Sequence, residues 1–433
     1  MIGTVVLAAA LQHWLVVNDI HLDPFSTAGI RRGADTTAAL WKIVVPEMRR
    51  DVPQARVVVL GGDMLAHHFP ALAYRAHVSD ERAALDTQRT IARDLGAAFP
   101  SAQFLVAEGN NDDPCGDYHS ETDGPYTRAL GRIWGPLVDR GNAAPRFAAQ
   151  FARGGYYTAR LPIRSGEAIV LNSVFWSFVY RGGCLSHPRD PGRAEMQWLQ
   201  SELQTRTASE PTVLLMHIPP GYDAESTMLA HRFLAVPFLR PGTDRRLLGV
   251  LADHAGSLRA IFGAHTHRYD FRLPANIPML LGSSISPIFN NNPAFYDVTV
   301  DSDGAIRDIV PYVYGLDART WKRERSFDTM YGVASFDAAN LRHIAERIRD
   351  DVSERAVWKR AYDAWSRSVG DLDNDPVPFA CAQAELGAGF AACAHTSRRT
   401  HAAEAAVAIA AVVVLGGIVA VFALRRRRKS TGR

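Results

Sequence analysis

Seven side chains able to ligate a metal are spread over five short segments: Asp19-Ile20-His21, Gly61-Gly62-Asp63, Gly109-Asn110-Asn111-Asp112, His217 within Leu215-Met216-His217-Ile218-Pro219-Pro220-Gly221, and His265-Thr266-His267. They offer two carboxylates, one amide oxygen and four imidazoles. That mixed nitrogen and oxygen set suits borderline divalent ions such as Zn, Mn or Fe. A carboxylate shared between two such ions would complete a two-metal centre, whose chemistry is hydrolysis of phosphate esters or anhydrides.

The elements that must position these groups are visible just upstream of them. Trp14-Leu15-Val16-Val17 leads into Asp19, Val57-Val58-Val59-Leu60 into Gly61, Phe104-Leu105-Val106-Ala107 into Gly109, and Val213-Leu214-Leu215-Met216 into His217. Short β-branched runs closed by Gly, Asn or Asp read as buried strands, which places the ligands at strand C-terminal ends. Open α/β sheets carry their chemistry there. Gly61, Gly62 and Gly109 permit tight turns and close backbone approach. The one-residue spacing in Asp19-Ile20-His21 predicts an extended segment with both polar side chains on one side, and His265-Thr266-His267 repeats it.

The series D-x-H, G-D, G-N-x-D, H and H-x-H resembles the calcineurin-like metallophosphoesterase superfamily over residues 13–315. Asp19-Ile20-His21-Leu22-Asp23-Pro24, Gly62-Asp63 with His67 four residues on, His217-Ile218-Pro219-Pro220-Gly221, and Ser286-Pro287 with Asn291-Asn292-Pro293-Ala294-Phe295 are similar to its acid sphingomyelinase-like phosphodiesterase branch. That branch also holds endopolyphosphatases. The resemblance implies an α/β fold, a β-sandwich flanked by helices. It implies one ion on Asp19, His21, Asp63 and His267 and a second on Asp63, Asn110, His217 and His265. Asp63 would bridge them, with a water or hydroxide between the ions as nucleophile. Zn is favoured over Mn or Fe.

Two positions depart from the family pattern. Asn111 stands where most relatives have a phosphate-facing histidine, and an amide cannot protonate a leaving group. His67 remains available as proton donor or hydrogen-bond donor to the phosphate. Ala264 stands where Gly usually precedes H-x-H. Asp23, Asp112 and Asp113 can orient ligands or cap turns. Neighbouring His68 reads as structural, Asn291 and Asn292 as turn residues, and the aromatic run Phe175 to Tyr180 as core.

At 433 residues and 47% apolar content the chain can bury a large core, and a net charge of +3, much of it at the C-terminus, argues against a nucleic-acid surface. Ile2 to Ala10 is apolar and ends in small residues, so residues 1–12 read as a signal segment. Residues 13–315 read as the catalytic domain, and 316–370 as a helical subdomain, with Leu341 to Ile348 at amphipathic spacing. Residues 371–404 read as connector and stalk. Ala405 to Leu424 is an uncharged stretch of 20 residues followed by Arg425 to Lys429. It reads as a transmembrane helix with a basic cytosolic tail over 425–433, leaving the catalytic part lumenal or extracellular in a single-pass type I arrangement, for instance in an acidic organelle. The four cysteines, Cys115, Cys184, Cys381 and Cys393, allow three pairings, of which local Cys381–Cys393 is preferred.

The expected function is therefore a dimetal phosphoesterase cleaving a phosphodiester lipid such as sphingomyelin, a nucleotide, or polyphosphate. An endopolyphosphatase is the close alternative. A membrane-bound pseudoenzyme that binds phosphate ligands without turnover is the distant one.

Overall fold

The computed structural model describes residues 11–142, 145–184, 190–229, 235–366 and 375–394. Two six-stranded mixed sheets form its centre. In the first, Gln12–Val17, Val57–Leu60 and Gln103–Val106 run parallel, and Ala294–Val300, Ile306–Gly315 and Thr320–Arg323 extend the sheet antiparallel from the other side of Gln12–Val17. In the second, Glu167–Leu171, Thr212–Met216, Leu258–Gly263 and Met279–Leu281 run parallel, flanked by antiparallel Tyr157–Arg160 and Asp270–Arg272.

Strand alternation explains how the sheets pack. In Thr212–Met216, Val213 and Leu215 join one buried cluster with Trp14 and Phe262, whereas Leu214 and Met216 join another with Met196, Leu199 and Leu247. One face thus meets the first sheet and the other meets helices Pro191–Gln204 and Pro241–Asp253. Across the seam the rings of Trp14 and Phe262 lie 5.8 Å apart. The β-sandwich flanked by helices that the sequence suggests is what forms.

The C-terminal part differs from expectation in two places. Thr320–Arg323, assigned to a helical subdomain, is an edge strand paired with Ile306–Gly315. Its single buried-facing neighbour strand offers free backbone groups, and pairing satisfies them. Helices Ala338–Asp350 and Val352–Tyr362 follow, and Leu341, Ile344, Ala345 and Ile348 are buried at the spacing read from sequence. Residues 375–394, assigned to a stalk, instead hold helix Val377–Ala384, with Phe379, Ala380, Cys381 and Ala382 buried. Their apolar composition finds a partner in the domain. Gln383 Nε2 donates to Asp270 at 2.6 Å, and the rings of Phe390 and Tyr222 stack at 4.5 Å.

Cys381 pairs with Cys393 as preferred, and Cys115 with Cys184. Among the described residues no helix is long and apolar enough to cross a membrane. The expected spanning segment 405–424 and tail 425–433 lie outside the described residues, as does the signal segment except for Leu11 and Gln12.

Candidate metal centre

All seven ligand candidates meet at one end of the two parallel strand sets, just past Val17, Leu60, Val106, Met216 and Gly263. Backbone pairing continues beyond the strands and ties the ligand loops together. Asp19 N donates to Gly62 O, His21 N to Asp63 O at 2.8 Å, and Ala264 N to His217 O at 3.0 Å. The expected extended geometry of the two one-spaced pairs is wrong. Asp19, His21, Asp63, His265 and His267 all have positive φ, from 44° to 72°. Asp and His tolerate this region better than most residues, and strained backbone gathers where function over-determines it.

Asp63 is the hub. Its Oδ2 lies 3.3 Å from His21 Nε2 and 3.4 Å from His217 Nε2. On the His21 side, His267 Nε2 stands 3.2 Å from His21 Nε2 and 3.7 Å from Asp19 Oδ1. On the His217 side, Asn110 Oδ1 is 3.0 Å from His217 Nε2, and the His265 ring lies 5.1 Å from that of His217. His21 Nδ1 faces Leu65 O at 2.9 Å and His217 Nδ1 faces Gly61 O at 2.8 Å. Each carbonyl holds a proton on Nδ1, which leaves Nε2 as the ring atom that faces Asp63.

Imidazole nitrogens and two carboxylates gathered round one point make a donor set for a cation. Two buried atoms of the site, Asp19 Oδ2 and His267 Nδ1, have no hydrogen-bond partner among the described residues. Burial pushes the Asp19 carboxyl up to about 8, helped by the Asp63 charge, while His217 pulls the other way. Burial lowers His21 to about 4 and His265 to about 3, and takes His267 well below the ordinary range. These imidazoles are neutral and ready to ligate. Burial lowers His217 too, but Asp63 and Asp19 overcome it and raise this one of the four candidate imidazoles to about 9. The donor set fits a divalent ion.

Other residues hold the hub in place. Asp112 accepts from the backbone N–H groups of Asp63, Met64 and Gly109 at 2.9, 2.7 and 2.8 Å. It therefore orients ligands, whereas Asp23 and Asp113 cap their own turns. Asn111 donates its backbone N–H to Asp63 Oδ1 at 2.7 Å and its side-chain amide to Oδ2 at 3.0 Å. His67 Nδ1 lies 2.9 Å from Asp35 Oδ1, and its ring stacks on His21 at 4.0 Å. Burial pulls the His67 imidazole down, but Asp35, aided by Asp63 and Asp117, outweighs it and leaves the pKa above the ordinary histidine value. Asn291 and Asn292 make turn and inter-segment bonds. Phe175 and Trp176 are core, while Phe178 and Val179 of the same run are exposed.

Two participating residues and one pocket were not singled out from sequence. Asp35 lies 32 residues from His67, so no local pattern links them. Asp117 accepts from Asn110 Nδ2 at 2.7 Å and turns the amide oxygen toward His217. Its position seven residues after Asn110, directly after Gly116, was the available signal. Beside His265 opens a pocket of about 310 Å³ walled by Tyr118, Phe238, Phe289, Tyr362 and Phe379, with Arg268 and Arg272 among its polar groups.

The family model for calcineurin-like phosphoesterases matches residues 13–269, a span containing every ligand candidate. The chain belongs to the calcineurin-like phosphoesterases. Members of this family use divalent metals, and the His/Asp clusters here could hold them. The chain is also 26% identical over 393 residues to "Sphingomyelinase phosphodiesterase D" of Dictyostelium discoideum, covering 84% of this chain and 81% of that protein. This places it in the sphingomyelinase-like branch and makes it a hydrolase of phosphoric esters. Among solved structures, GAP50, the anchor in the inner membrane complex of Plasmodium, aligns with TM-score 0.37 and 10% identity over 80% of this chain and 95% of that one. A phosphopantetheinyl hydrolase of Mycobacterium tuberculosis aligns with TM-score 0.34 and 10% identity over 64% of this phosphoesterase and 91% of that chain.

Proposed function

We propose that this phosphoesterase is a dimetal enzyme that hydrolyses a phosphodiester or phosphoanhydride, with Zn the favoured ion. Asp19, His21, Asp63 and His267 would hold one ion, and Asp63, Asn110, His217 and His265 the other. The observation that carries this is the placement of Asp63 Oδ2 between His21 Nε2 and His217 Nε2, at 3.3 and 3.4 Å. When bound, the two ions supply Lewis acidity toward the phosphate and lower the pKa of an attacking water. His67, fixed by Asp35, faces the same space and can donate a proton or hydrogen bond. Asp117 and Asp112 keep the Asn110 and Asp63 oxygens aimed inward. The aromatic pocket beside His265 is the natural place for the leaving group or head group.

A phosphoanhydride substrate has one specific observation in its favour. The Asn111 amide is spent on Asp63 and gives no proton to a leaving group. An alkoxide leaving group needs that proton more than a phosphate does. The membrane arrangement expected from residues 405–429 remains part of this proposal, with the catalytic domain on the lumenal or extracellular face. A C-terminal tag cut by protease outside sealed vesicles, with the domain protected, supports it, and the reverse pattern refutes it.

The deciding experiment combines metal content with a substrate panel on wild type and Asp63→Asn. Loss of both metal and turnover, with the fold intact by circular dichroism, is expected. Two tightly held ions and full turnover in Asp63→Asn would refute the assignment. Intact metal sites with no turnover on diesters, nucleotides or polyphosphate would indicate a ligand-binding pseudoenzyme.

A further inference from the structure

A second cleft, of about 640 Å³, opens at the opposite end of the sheets from the metal centre. Arg56 immediately precedes strand Val57–Leu60, and Gln103 begins its neighbour, while Asp63 and Asn110 lie beyond the other ends. Strand Val57–Leu60 and the turn after it separate Arg56 from Asp63, so the two sites are on the order of 20 Å apart.

Four arginines, Arg56, Arg140, Arg146 and Arg160, line this cleft with a single acid, Glu167. That acid is taken, since Arg206 Nη2 lies 2.5 Å from its carboxylate. Among the described residues none of the four guanidinium groups is paired with a carboxylate, and Arg146 meets Asp139 only through its backbone N–H, at 3.4 Å. Arg140 is the most constrained. Its Nη1 donates to Phe99 O and Ala102 O, both at 2.7 Å, and its guanidinium lies 5.8 Å from the Phe104 ring centroid. Neutral carbonyls and a ring fix its orientation but leave its charge uncompensated. Gln103 Nε2, donating to Val138 O and Arg160 O, ties together the segments that carry Arg140 and Arg160.

Like charges gathered round a concavity repel one another, and an anion relieves this. The guanidinium fork matches phosphate oxygens in pairs. A concave site of about 640 Å³ with four arginines in its lining fits a compact polyanion better than a flat surface. We infer that this arginine cleft is a non-catalytic binding site for an oligophosphate group, carried by a free anion or by a lipid head group.

The test is titration calorimetry of tripolyphosphate into the full-length protein stripped of metal and kept in EDTA, so that the metal centre neither coordinates nor hydrolyses the probe. Wild type should bind one anion, and Arg140→Gln/Arg160→Gln should weaken binding at least about tenfold. Arg140→Lys, which keeps charge but loses the fork, should fall between them. Asp63→Asn should bind as wild type does. A chromogenic diester assay on the metal-loaded arginine variants should give unchanged turnover and shows that they fold. Equal affinity in wild type and the double variant overturns the inference, as does binding lost in Asp63→Asn but kept in the double variant. Flotation with vesicles containing phosphatidic acid separates the sources. Arginine-dependent vesicle binding points to a head group, and its absence alongside tripolyphosphate binding points to a free anion.

Discussion

At the scale of single residues, the centre depends on groups whose second atom is already committed. His21 and His217 each give Nδ1 to a carbonyl, and Asn110 gives its amide nitrogen to Asp117. His67 is arranged differently, because its Nδ1 partner is the carboxylate of Asp35. A carboxylate stabilises the protonated ring, which suits a proton donor more than a ligand. His67→Gln should therefore keep its metal while kcat on alkyl diesters falls about 10²-fold or more, with a smaller loss on anhydrides. Elemental analysis beside kcat checks this. His67 also forms a close triad with His21 and His267, and loss of one ion in the variant would instead make it a ligand. The identities of the ligand candidates were readable from their order along the chain. Their backbone was not, because D-x-H spacing says nothing of the left-handed conformation that aims Asp19 and His21.

At the scale of elements, the loops after the parallel strands are packed so closely that glycine is required. A Cβ on Gly109 would lie 2.1 Å from Asp63 Oδ1 and 2.2 Å from Asp63 N. Neither can retreat, since Asp63 N is held by Asp112 and Oδ1 by the Asn111 backbone. Gly109→Ala should cost about 1–3 kcal/mol of stability and lower metal retention after dialysis against chelator. Unchanged retention would show that the loop has slack. Ala264 is the informative contrast. Its Cβ would be 2.8 Å from a Cβ built on Gly61, so its methyl fills room that Gly61 leaves free. The family's glycine is not needed here, and Ala264→Gly should change stability by less than about 1.5 kcal/mol in a thermal scan. Strands and amphipathic helices were legible because periodicity reports burial. Helix Val377–Ala384 was not, because its short alanine-rich run has no clear polar face and reads equally as a linker.

At the scale of the whole molecule, the fold buries acids that ion pairs do not neutralise. Glu195 is fully buried, with Oε1 accepting from Asn172 N at 2.6 Å and Oε2 without a partner. Burial holds its pKa well above the ordinary glutamate value. Asp244 is raised by burial to about 6. For such groups the native state binds more protons than the unfolded state, so stability falls as pH climbs from the unfolded carboxylate value toward the folded one. The melting temperature should be higher near about pH 5 than near about pH 8, and Glu195→Gln should reduce that difference. A variant with the same pH dependence as wild type would show that Glu195 does not contribute. The C-terminal segment has a consequence of another kind. Phe379 and Ala382 line the pocket beside His265, and Gln383 braces Asp270 in the same wall. Every proposed ligand has been supplied by residue 267, yet this boundary of the pocket arrives more than a hundred positions later. On the proposed function, reactivity and selectivity would thus be encoded in separate stretches of the chain. A protein shortened to end before Asp375 would keep the full ligand set while losing one side of this pocket, and a difference between the two forms in preference among substrates, at equal metal content, would measure what that side discriminates.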